Sequence, residues 1–127
     1  MPYILHPLRL MLKCDTELLM IIAVLHDTIE DTKVTLDDLH RINIPIEAIN
    51  AIQSLTKKSG ECYNEFIDRV IQNRLASKVK ELDLLDNMNC TRLNEITDVD
   101  VTRLRKYAVA LQRIRAANIT QQADSAK

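Results

Sequence analysis

The chain has 127 residues, 46% apolar and 28% charged, with a net charge of -1, the make-up of one globular domain. It has no basic excess, no Trp, one Phe and three Tyr, so it lacks both the charge and the stacking aromatics that bind nucleic acid. Its one glycine, Gly60, excludes a Gly-rich phosphate cradle.

Asp15 or Thr16 is placed to cap a helix through Leu18, Leu19, Met20, Ile21, Ile22, Ala23, Val24 and Leu25. That stretch is apolar on every side and predicts a central, buried helix. It is also the longest apolar run, far short of the ~20 residues that cross a membrane. No basic region followed by an apolar stretch and a small-residue cleavage site opens the chain. The expectation is a cytoplasmic protein with no membrane partner. Thr35 with Asp38 resembles a capping box, with Asp in place of Glu, opening a short helix with Leu36 and Leu39. Pro45 starts another helix before Ile46, Ile49 and Ile52. Ser59-Gly60 breaks the chain. Tyr63, Phe66, Ile67, Val70 and Ile71 then keep an amphipathic helical period. A further helix is predicted from about Leu75 to Met88. Asp100 caps the last, carrying Val101, Leu104, Ala108 and Leu111. No strand alternation is visible. The expected fold class is all-α, a compact helical bundle over residues 1–119, with a polar, frayed tail over 120–127.

Chemistry enters where pattern and burial conflict. The most apolar helix runs straight into His26-Asp27-Thr28-Ile29-Glu30-Asp31. Carboxylates at the end of a buried helix are costly unless they are paired or hold a metal. If the helix continues, His26 lies above Glu30 and Asp27 above Asp31. If it ends at His26, the acids sit in a solvated loop. The second conflict is Asp83, which shares a face with Ala76, Val79 and Asn87 and follows Lys80 by three residues. Taken alone, Lys80 and Asp83 read as a plain surface ion pair, worth little.

His6, among Tyr3, Ile4, Leu5 and Leu8, reads by itself as a hydrogen-bonded core histidine, and His40 as exposed. Cys14, Cys62 and Cys90 are far apart and never in a CxxC pair. They read as reduced thiols and buried small hydrophobes. Together, His6, His26, Asp27 and Asp83 supply two imidazoles and two carboxylates. A mixed nitrogen and oxygen set suits manganese, iron, cobalt or zinc. Glu30 and Asp31, beside that set, are free to handle protons.

In that order these residues resemble the HD-domain metal-dependent phosphohydrolases. Pro2-Tyr3-Ile4-Leu5-His6-Pro7-Leu8 resembles the first-histidine segment of the hydrolase domain of RelA/SpoT-like proteins. His26-Asp27-Thr28-Ile29-Glu30-Asp31-Thr32 resembles its HD-x-x-E-D signature, and Val79 to Met88 its final helix. The resemblance runs from Pro2 to about Tyr107, and the middle motif is the most specific of the three. It implies an all-helical fold around one divalent metal, usually manganese in this branch. It implies His6, His26, Asp27 and Asp83 as ligands and Glu30 and Asp31 as the acid–base pair. Lys80 and Asn87 fall where the family contacts substrate phosphate and nucleoside. The best-known reaction removes the 3′-pyrophosphate of guanosine tetra- or pentaphosphate, (p)ppGpp.

Two departures stand out. Members that cleave that alarmone usually carry Arg where this chain has Leu84. They also have a basic helix before the Pro-Tyr-Ile segment, which this chain, opening at Met1-Pro2-Tyr3, lacks. Glu61-Cys62-Tyr63-Asn64-Glu65-Phe66-Ile67 and the Asp86-Asn87 end are closer to small stand-alone bacterial HD proteins. The reading is a metal-dependent phosphohydrolase acting on a small-molecule nucleotide. Its rivals are a nucleoside monophosphate nucleotidase and a non-catalytic helical binding or regulatory module. Apolar side chains around Ile4, Leu5 and the Val101–Ile114 helix point to a homo-oligomer.

Overall fold

Local signals set most of the helix ends in the computed structural model, which describes residues 5–89 and 95–125. The helices are α1 (Leu5–Lys13), α2 (Glu17–Leu25), α3 (Thr28–Asp31), α4 (Leu36–Arg41), α5 (Ile46–Ser54), α6 (Tyr63–Gln72), α7 (Arg74–Asn87) and α8 (Asp98–Ser125). No strand occurs among the described residues, so the all-α expectation holds. None of their helices is long and apolar enough to cross a membrane.

Thr16 caps α2, its hydroxyl accepting from the Leu19 N–H. Thr35 and Asp38 close the expected reciprocal box on α4, and Pro45 stands directly before α5. Gly60 takes a φ of 78° in the break before α6, a left-handed conformation that favours glycine. That connection is fastened by Arg69, which donates from Nε to Glu61 at 2.7 Å and from Nη2 to the Thr56 carbonyl at 2.8 Å.

Two helix ends differ from expectation. Helix α8 begins at Asp98, with Asp100 inside its first turn. The Thr97 hydroxyl accepts from the Asp100 N–H, and the Asp100 carboxylate accepts from the Thr97 N–H. Thr97 is therefore the cap and Asp100 its reciprocal partner. At the far end α8 runs on to Ser125, into the stretch expected to be tail.

The segment around His6 forms a helix of its own, α1, which buries His6, Pro7 and Leu10. Pro7 falls in its first turn, where a missing N–H costs nothing. The helix at the middle of the bundle is α7, packed against α1, α2, α5, α6 and α8. Its own Val79 and Leu84 are fully enclosed, with Leu10, Ile22, Ile52, Ile67 and Ile114 of the other helices. Helix α2 is buried on one side only, through Leu19, Ile22 and Ala23. Its other flank, Met20, Ile21, Val24 and Leu25, lines an open apolar depression with Met11 and Ile44. The expected all-round burial of α2 is corrected to that extent, because its main neighbours α1, α5 and α7 do not surround it.

Cys14 is buried as expected, whereas Cys62 is exposed at the cap of α6; Cys90 lies outside the described residues. Of the apolar groups expected to drive association, Val101 and Val109 are exposed and Ile114 is buried. Leu5 is half-buried, and Ile4 lies outside the described residues.

Candidate metal centre

Three helices deliver one buried cluster. Helix α1 brings His6, the end of α2 brings His26, and α7 brings Asp83. These three are buried, and their donor atoms all lie within 4.8 Å of one another. His6 Nε2 is 2.7 Å from Asp83 Oδ1, and His26 Nε2 is 3.9 Å from the same oxygen.

His26 owes its orientation to the end of its helix. Among the last carbonyls of α2, which have no intrahelical partner, that of Ala23 accepts from His26 Nδ1 at 2.8 Å. A carbonyl only accepts, so Nδ1 carries the proton, and in the neutral ring Nε2 keeps its lone pair. That Nε2 is buried and has no hydrogen-bond partner. It faces Asp27 Oδ1 at 3.2 Å without hydrogen-bond geometry. An inward-facing imidazole nitrogen with carboxylate oxygens of Asp27 and Asp83 at 3.2 and 3.9 Å is a donor arrangement that suits a cation site. Asp27 belongs to the His26 flank and stands outside the mutually close set of three.

Asp83 is held on every side. Lys80 Nζ donates to its Oδ2 at 2.8 Å, and Asn87 Nδ2 to its Oδ1 at 3.3 Å. Burial works against its charge, but the His6 hydrogen bond and Lys80 outweigh it and hold the carboxyl well below its ordinary value. Burial works against the Lys80 cation too, and Asp83 outweighs it, raising that group. The ammonium also lies 5.3 Å from the centre of the Phe66 ring, a cation–π placement. The surface pair suggested by the spacing is thus a buried one. It is buried because α6 lays Phe66 across α7 and α1 lays His6 beside it. Lys80 and Asn87, which the resemblance assigns to substrate, both bond to Asp83 here.

Two residues at the site had no role assigned from the sequence, Asp86 and Arg9. Asp86 is buried. It accepts from His6 Nδ1 at 2.5 Å and from Arg9 Nε and Nη2 at 2.9 and 3.0 Å. The Arg9 guanidinium holds the Asp86 carboxyl down to about 2. Burial opposes the His6 cation, but the hydrogen bonds with Asp83 and Asp86 outweigh it and raise its pKa. The available sequence signal was the i, i+3, i+6, i+7 spacing of Lys80, Asp83, Asp86 and Asn87, one polar stripe on a central helix.

Glu30 and Asp31 belong to the short α3 that follows Asp27. The apolar helix ends at Leu25, capped by His26, and a separate turn begins at Thr28. The side chains of Glu30 and Asp31 lie outside the described residues. Leu84, where the family usually has Arg, is fully enclosed in the core. A separate cavity of about 440 Å³, lined by Lys13, Cys14, Arg74, Lys78 and Glu81 among others, opens at the other end of α1 and α7; no residue of the cluster lines it.

The chain matches no protein-family model, and no curated protein matches it either.

Proposed function

We propose that this chain is a metal-dependent phosphohydrolase of the HD-domain kind, acting on a nucleotide. The observation that carries the reading is the buried, partnerless Nε2 of His26, turned by its own helix end toward His6 and Asp83. Two imidazoles and a carboxylate fit a divalent ion of the manganese-to-zinc series. His6, His26 and Asp83 would hold it, with Asp27 reaching in from the His26 flank. When bound, the ion supplies a water of lowered pKa and a Lewis acid for a phosphoryl oxygen.

The chain's own residues supply the rest. Lys80 and Asn87 hold the Asp83 carboxylate in place. Glu30 and Asp31, one turn beyond His26-Asp27, are assigned to take and return the proton of the attacking water. That role needs hydrogen-bond reach of the water. Manganese and the 3′-pyrophosphate of (p)ppGpp are the specific choices that the HD-x-x-E-D signature favours. With Leu84 in the core, position 84 adds nothing to the alarmone reading.

Elemental analysis of protein never exposed to chelator, followed by turnover on a panel of nucleotides, tests the proposal. One divalent ion per chain is expected, with release of phosphate or pyrophosphate. His26→Ala and Asp27→Ala should lose both metal and turnover. Protein that contains no metal and takes up no Mn2+ overturns the reading. Turnover on monophosphates alone would make the enzyme a nucleotidase. Metal binding with no turnover on any nucleotide would leave a binding module.

A further inference from the structure

We propose that Asp86 and Arg9 form a positioning pair that locks the His6 imidazole with Nε2 turned toward the metal, and so set the affinity of the site. The inference rests on the metal-site reading above.

The two carboxylates near His6 lie three residues apart on α7 and meet opposite nitrogens of one ring, Asp83 at Nε2 and Asp86 at Nδ1. They are not equivalent. Asp86 lies outside the mutually close donor set, and Arg9 grips it at both oxygens in a fork, a strong and directional arrangement. An arginine-neutralised carboxylate competes poorly for a cation, but it remains a good acceptor for an N–H. It therefore keeps a proton of His6 on Nδ1, so that the Nε2 proton shared with Asp83 is the one a metal ion displaces, leaving Nε2 as the metal-facing atom.

His26 is treated the same way by different means. Its Nδ1 donates to the Ala23 carbonyl, so both imidazoles are tied at Nδ1 and present Nε2. A backbone carbonyl at a helix end needs no support. A side-chain carboxylate swings unless it is held, and Arg9, one helical turn along α1 from His6, holds it. The pair thus links α1 to α7 through two residues that never touch the metal.

Mn2+ titration of the full chain, with circular dichroism to check folding, tests this. Asp86→Leu should weaken Mn2+ binding by about 10–100-fold, the usual scale for losing such a partner. Asp86→Asn keeps an oxygen for the Nδ1–H and should lose less. Arg9→Met, at the more exposed end of the pair, should lose several-fold. In Zn2+-loaded protein, 15N chemical shifts should show His6 protonated at Nδ1 in the wild type and lose that fixed tautomer in Asp86→Leu. If Asp86→Leu does not fold, Asp86→Asn and Arg9→Met decide. Folded variants that bind Mn2+ as the wild type does, with His6 still protonated at Nδ1, overturn the positioning role and leave the metal reading intact. A wild type that binds no metal overturns both.

Discussion

Asp83→Asn in metal-free protein isolates the electrostatics at the centre of the bundle. The change removes one negative charge and strands the Lys80 ammonium, whose side chain is 13% exposed, 2.8 Å from its former partner. At that separation the attraction is about 6 kcal/mol in an effective dielectric of about 20. Desolvation of the two groups offsets much of this, and stripping one partner from a buried pair costs about 3–5 kcal/mol. For a domain whose total stability is about 5–15 kcal/mol, that is a large share. At ~4 °C per kcal/mol, Tm should fall by about 12–20 °C. Adding Lys80→Met removes the stranded cation while keeping apolar volume against Phe66, so the double variant should be more stable than Asp83→Asn alone by at least about 1 kcal/mol. Urea unfolding followed by circular dichroism in the presence of chelator measures all three proteins. An Asp83→Asn protein within about 1 kcal/mol of wild type, or a double variant no more stable than the single, would refute the buried pair.

Glu30→Gln and Asp31→Asn should leave metal content unchanged and cut turnover by about 10²-fold or more; if either protein purifies without metal, that residue is a ligand. Leu84→Arg forces a guanidinium into a fully enclosed position. It should cost about 4 kcal/mol or more, seen as a collapse in Tm, and a stable variant with improved alarmone turnover would contradict the core placement. Arg69 holds Glu61 down from 4.5 to about 2, so the pair's contribution is complete above pH 4.5 and is lost as the pH falls toward 2. Glu61→Gln should therefore flatten that part of the acid limb in urea midpoints taken between pH 5 and pH 2. An unchanged limb would show that Glu61 is not held by Arg69 in solution.

What the sequence determined by itself is local. The capping box at Thr35, the cap at Thr16 and the period of Tyr63, Phe66, Ile67 and Val70 each involve residues within one or two turns. Short-range sterics and hydrogen bonds settle them wherever the segment ends up. The His26 signal was legible because an apolar helix runs into His26-Asp27 and the acids after it within two turns, although the bond that orients its ring, to the Ala23 carbonyl, was not foreseen. Helix α1 was not, because nine residues of mixed character form a stable helix only against other helices.

The charged cluster was decided only by tertiary structure. Lys80 and Asp83 have the same spacing in a solvated ion pair as in a buried one. Which of the two they form depends on α1 and α6 closing over α7. Asp86 shows this most sharply, since the imidazole it holds lies 80 residues away in the chain. Helical period follows from neighbours along the backbone, whereas the cost of burying a charge, and the partner that offsets it, depend on which distant segments exclude the water.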